Sequence, residues 1–137
     1  MRFDTKIGIV VRDDLAAWQR LNVTAFLSSA VAGATPSVIG EPYEDASGNR
    51  YLPMFVQPVL VYVATAEQLA SAHARAVARD DIREAVYIED MFKTGNDADN
   101  RATVLAREAD DLPLVGIALH GPRNPVDKLL KGLPLHP

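Results

Sequence analysis

The chain contains no cysteine, which excludes disulfides, thiolate nucleophiles and cysteine-ligated zinc and leaves the compartment open. No stretch approaches the roughly 18 consecutive apolar residues of a membrane span. The start, Met1-Arg2-Phe3-Asp4-Thr5-Lys6, lacks the apolar segment of a secretion signal. A soluble protein without membrane partners is expected, with the cytoplasm as its compartment. Excess positive charge is missing as well: 14 Lys and Arg stand against 18 Asp and Glu, a net charge of -4, the wrong sign for a domain that lives on phosphate backbones. Nucleic acid is therefore not an expected partner. Neither a Walker loop nor Gly-x-Gly-x-x-Gly occurs, so no nucleotide cofactor is expected. Histidine is sparse, and His73, His120 and His136 show no metal-ligand spacing, so no metal is expected.

What is present is an ordinary globular composition over 137 residues, 48% hydrophobic and 23% charged, enough for one core and one domain spanning 1–137. Ile7-Gly8-Ile9-Val10-Val11 reads as a strand buried on both faces, ended by Arg12-Asp13-Asp14. A helix follows from an Asp13/Asp14 cap to the Gly33-Ala34-Thr35-Pro36 stop. Prolines 36, 42, 53 and 58 punctuate the next stretch, and turn formers between Tyr43 and Tyr51 predict a small hairpin or ordered loop. Val59-Leu60-Val61-Tyr62-Val63 is a second strand, and Thr65 with Gln68 forms a capping box for a helix through Leu69, Ala72, Ala76 and Val77.

Glu84-Ala85-Val86-Tyr87-Ile88-Glu89 is a third strand, and Asn96 or Asp97 caps a helix through Ala98, Ala102, Leu105 and Ala106. Leu114-Val115-Gly116-Ile117-Ala118-Leu119 is a fourth strand; Gly121-Pro122 turns the chain, Asn124 caps, and Pro125 opens a last helix. Strand and helix alternating four times imply an α/β fold: a mixed, largely parallel sheet of about four main strands with helices on both faces, three layers in all.

Two stretches, Lys6-Ile7-Gly8-Ile9-Val10-Val11-Arg12-Asp13-Asp14-Leu15 and Val115-Gly116-Ile117-Ala118-Leu119-His120-Gly121-Pro122-Arg123-Asn124-Pro125-Val126-Asp127-Lys128, resemble the two ends of type II peptidyl-tRNA hydrolases. A fuller resemblance, over essentially the whole chain, is to the bacterial domain-of-unknown-function family numbered two thousand, in the same superfamily. It rests on Asp14 to Leu27, Gly40-Glu41-Pro42-Tyr43-Glu44-Asp45, Thr94 to Arg101 and Val126-Asp127-Lys128. The resemblance implies the peptidyl-tRNA hydrolase II fold and, since dimers are common among those hydrolases, a homodimer. The hydrolases' helical lysine, glutamine and histidine fall on Asn22, Phe26 and Ser29, so hydrolysis of peptidyl-tRNA is not expected. Asp90 and Thr94 match the ends of the hydrolases' turn after the third strand, and Gly121, Pro122, Asp127 and Lys128 match a second motif.

Ligands of open α/β sheets gather beyond the carboxyl ends of parallel strands. Arg12 and Asp13 follow the first strand, Asp90 and Thr94 the third, His120 and Arg123 the fourth, with Trp18 and Asn22 one helical turn apart nearby. These residues form the candidate ligand site, with Asp90, Asp127 and His120 as candidate catalytic groups. Asn22, among apolar neighbours, needs a partner from the 36–58 backbone or from ligand. Asp97, Asp99 and Glu108 imitate a calcium loop, but Arg101 and Ala102 occupy positions where it needs an oxygen ligand and the turn glycine. Ser28 or Ser29 with His120 and Asp127 offers triad residue types without a nucleophile elbow. Three functional readings follow: a binding or regulatory protein for a small polar ligand or peptide end, a hydrolase in which Asp90 or Asp127 orients water, and an interaction module displaying Tyr43, Tyr51, Met54 and Phe55.

Overall fold

The computed structural model describes residues 2–137. Its elements are β1 (Thr5–Arg12), α1 (Ala17–Ala34), β2 (Tyr43–Glu44), β3 (Arg50–Tyr51), β4 (Val59–Ala64), α2 (Ala66–Val77), β5 (Arg83–Ile88), α3 (Asp97–Leu105), β6 (Leu114–Pro122) and α4 (Arg123–Leu130). Four strands form one mixed sheet in the order β4-β1-β6-β5. Only β1 and β4 pair in parallel, whereas β6 runs antiparallel to both β1 and β5. The expectation of a largely parallel sheet is thus corrected, because an apolar run carries no mark of its direction. β1 is central, and its alternate residues feed two apolar clusters. Ile7, Ile9 and Val11 join Val23, Leu27 and Val31 of α1. Val10 joins Leu69, Ala72 and Ala76 of α2 and Val126, Leu129 and Leu130 of α4.

The Thr65 capping box forms as expected: the Gln68 N–H donates to Thr65 Oγ1 at 3.1 Å and the Thr65 N–H to Gln68 Oε1 at 2.9 Å. Asn96, rather than Asp97, caps α3 by accepting the Asp99 N–H at 2.8 Å. Two other caps are corrected. α1 starts at Ala17, beyond Asp13 and Asp14, with no acidic residue in its first turn, and Gln19 accepts the Ala16 N–H at 3.0 Å. α4 starts at Arg123 behind Pro122, so Asn124 lies inside its first turn. Gly121 and Pro122 extend β6 instead of turning the chain. A Cβ at Gly121 would lie 2.7 Å from the Asp81 carbonyl, which explains glycine there.

The predicted hairpin is β2 paired with β3, tied back where Val56 N–H donates to Val38 O at 2.8 Å and Gly40 N–H to Met54 O at 3.0 Å. Tyr43, Tyr51 and Met54 are exposed as expected, but Phe55 is half-buried against the α1-side cluster. Asp45 organises the turn: its carboxylate accepts from the Tyr51 hydroxyl at 2.7 Å, the Asn49 side-chain amide at 3.0 Å, and the N–H groups of Ser47 and Asn49 at 2.9 and 3.0 Å. Gly48 closes it at φ 88. The Tyr51 hydroxyl and the Asn49 amide, in that order, hold the Asp45 carboxyl at about 2. The turn therefore binds fewer protons than the unfolded chain between that value and the ordinary aspartate range, and its stability is lost as pH falls through that window. Amide protection at Asn49 should persist down to pH 4 and vanish toward pH 2, as read by NMR; Asp45→Ala should abolish it at neutral pH.

Candidate functional site

α1 carries two stripes of residues spaced by four. Val23, Leu27 and Val31 are buried; Trp18, Asn22 and Phe26, on the adjacent face, line an open cleft of about 1040 Å³. Residues four apart share a helix face, so helical pitch alone aligns them. The opposite wall is Thr94 to Asn96 with Asn100, Val104 and Leu105 of α3, and Ala85, Val86 and Tyr87 of β5 lie between the walls. Because β5 is the last strand of the sheet, the cleft opens beside its free edge.

The chain holds one tryptophan, four phenylalanines and four tyrosines, and four of these rings meet here. Tyr87 and Phe92 lie 5.3 Å apart between centroids, Trp18 meets Phe92 edge-on at 5.8 Å, and Phe26 meets Tyr87 edge-on at 5.9 Å. Tyr87 is buried while Trp18 and Phe26 remain more than or about half exposed, at 61% and 50%. Asn22 Nδ2 donates to the Tyr87 hydroxyl at 3.2 Å. The partner expected from the 36–58 backbone is thus replaced by a tyrosine. Burial pushes the Tyr87 phenol above its usual range, partly offset by Asn22, so it stays protonated. With its oxygen accepting from Asn22, its own proton has no acceptor among the described residues, and Asn22 Oδ1 beside it has no donor among them. The two together complement an amide group. Across the cleft, Thr94 donates to Met91 O at 3.0 Å and meets the Asn100 side chain.

Of the residues singled out in the sequence, Trp18, Asn22 and Thr94 line the cleft. The other candidate ligand-binding and catalytic residues are held elsewhere. Arg12 donates to Asp14 and Glu89, both at 2.6 Å. Asp13 offers its backbone carbonyl to Arg20 at 2.9 Å, and Arg123 donates to Phe3 O at 2.9 Å. Asp90 pairs with Arg107 at 3.1 Å, and Asp127 with Lys6. His120 pairs in register with Ile7 and Arg83, six residues along β6 from Leu114 and so roughly 20 Å from the end that carries Arg12. Its buried Nε2 has no partner among the described residues, and burial lowers its pKa, with a further contribution from Arg83. Asp90, Asp127 and His120 therefore do not converge. Among the described residues no three His, Asp or Glu side chains gather as metal ligands, and no helix is long and apolar enough to cross a membrane.

Tyr87, Phe92 and Asn100 were not anticipated, and Phe26 was read only as the replacement of the hydrolases' glutamine. The four-residue spacing of Trp18, Asn22 and Phe26 was the available signal, since a ring left off the buried stripe needs another neighbour.

Fold and cleft together define a small mixed α/β protein with a ligand-sized, aromatic-lined cleft at a sheet edge. The chain belongs to the family described as "Protein of unknown function (DUF2000)", whose model matches residues 5–137. It is similar to a solved protein of unknown function, Atu0240, from Agrobacterium tumefaciens strain C58: identity is 47%, TM-score 0.95, with 99% of this chain and 100% of that one covered. No curated protein matches.

Proposed function

We propose that this is a binding protein whose cleft takes an uncharged ligand combining an amide with an aromatic or aliphatic group, on a three-layer scaffold of the peptidyl-tRNA hydrolase II type. The observation that carries the reading is the Asn22–Tyr87 pair set among rings in the cleft. Pockets of this size, mainly apolar with few placed polar groups, are the usual form of small-molecule sites. The scaffold reading is supported by apolar clusters on both sides of the sheet.

A thermal-shift screen across N-acylated amino-acid amides, aminoacyl esters, nucleotides and common metabolites tests it, because a ligand bound only by the folded state stabilises it by about 2.7 kcal/mol at a hundred times its Kd. Acylated aromatic amides should raise Tm and change the fluorescence of Trp18, the sole tryptophan. Silence from every amide, or a response only to charged compounds, overturns the reading. Asn22→Ala should cost about 0.5 to 1.5 kcal/mol through the lost hydrogen bond and remove the ligand-induced shift. A variant unchanged in both would show that Asn22 serves neither stability nor binding.

A further inference from the structure

We infer that the cleft receives its ligand as an extended peptide, added as a further strand to the free edge of β5. This deepens the proposal above and rests on it.

Backbone parity shows which groups the edge offers. In the β1–β6 ladder, Asp4 and Arg123 stand opposite each other in the register that pairs Ile7 with His120, and Arg123 N–H donates to Asp4 O at 2.9 Å. Antiparallel residues alternate between bonded and non-bonded pairs, so Leu119 and Ile117 of β6 turn toward β1, and His120, Ala118 and Gly116 turn toward β5. Their partners Arg83, Ala85 and Tyr87 are the bonded ones. Glu84 and Val86 consequently send N–H and C=O outward, and no other backbone or side-chain group among the described residues bonds them. Val86 lies within the cleft. The N–H of Ile88 is occupied by Met91 Sδ at 3.5 Å, which sets where an added strand must end.

The other edge of the sheet is already treated in this manner by the chain itself. Residues 134–136 run beside β4: Val63 N–H donates to Pro134 O at 3.0 Å and His136 N–H to Val61 O at 2.8 Å. One edge is covered, and the bare one has walls. Side chains of an added strand would alternate between Trp18, Phe26 and Tyr87 on the α1 side and Val104 and Leu105 on the α3 side. The charged lining residues, Asp97 and Arg101, neutralise each other, so the charge that complements this cleft is none. An uncharged segment of β-branched and aromatic residues, held by main-chain bonds and alternate pockets, is the matching partner.

The test uses the full, isotope-labelled chain and a library of pentapeptides blocked at both ends and drawn from Val, Ile, Thr, Leu, Phe and Tyr, with N-acetyltyrosinamide as a small reference probe. Peptides that quench or enhance Trp18 emission should slow amide exchange at Val86. Methylating the peptide nitrogen that faces Val86 should weaken binding roughly tenfold or more, while methylating its neighbour has little effect. Val86→Pro, which removes an N–H the β6 ladder does not use, should abolish peptide binding. Absence of any binder at about 1 mM, or binding without protection at Val86, overturns the inference. If the reference probe still perturbs Trp18, the cleft remains a ligand site; if it does not, both readings fall together.

Discussion

Replacing His73 with leucine should destabilise the fold by about 3 to 5 kcal/mol, the cost of breaking a buried ion pair by removing one partner. His73 Nδ1 lies 2.8 Å from Glu84 Oε2, with the two side chains only 9% and 11% exposed, and Nε2 lies 3.2 Å from Ala109 O. A carbonyl only accepts, so Nε2 carries a proton, and Nδ1 must share one with Glu84. Burial pushes the Glu84 carboxyl above its usual range, and His73 opposes that shift. Without the imidazole the carboxyl rises further, and the folded state then binds more protons than the unfolded one. Its stability falls as pH rises through that range, so the deficit should be largest at pH 7 and shrink toward pH 5. Urea unfolding at the two pH values reads both effects. Equal midpoints for variant and parent at pH 7 would show that the pair contributes nothing, and a deficit independent of pH would exclude the carboxylate as its cause.

Gly116→Val should cost roughly 1 to 3 kcal/mol by overpacking and should also open the site. A Cβ there would lie 2.6 Å from Val23 Cγ1, 3.0 Å from Leu27 Cδ1 and 3.1 Å from the Val10 carbonyl. The carbonyl belongs to the central strand and cannot yield, so the strain passes to α1. That helix holds Asn22 next to Val23, and its 3.2 Å bond to Tyr87 is short of slack. The expected result is a lower Tm together with weaker ligand response. Adding Val23→Ala removes the nearer obstruction and should recover part of the loss, a coupling expected only of residues in contact. Simple additivity of the two changes would show that Gly116 does not set the helix height.

The strands, the helices, the Thr65 cap and the hairpin were legible because each is written in local chemistry: β-branched runs, a reciprocal Thr–Gln pair, turn formers between tyrosines. Strand direction was not. Ile117-Ala118-Leu119 reads the same in either sense, and the gathering of His120 and Asp127 beside Arg12 depended on that sense. Antiparallel β6 sends them to the far end. Charged residues misled for a related reason, since Arg12, Asp90, Arg123 and Asp127 mark strand ends by pairing with Asp14, Arg107, the Phe3 carbonyl and Lys6. Trp18, Asn22 and Thr94 were recognised, yet Tyr87, which bonds Asn22, lies 65 positions from it, a separation at which no sequence period operates.

The strand order has a consequence for how the chain is made. β1, near the start, needs β4 on one side and β6 on the other, and β6 ends more than a hundred residues later at Pro122. At translation rates of 5–20 residues per second the centre of the sheet stays open for on the order of ten seconds. During that time the run Ile7 to Val11 can be sheltered on one edge by β4 and not on the other. The centre of the sheet thus closes only once β6 has been made, and pairing so distant in sequence favours slow closure. An apolar strand left waiting in this way is the segment of the nascent chain most in need of a chaperone.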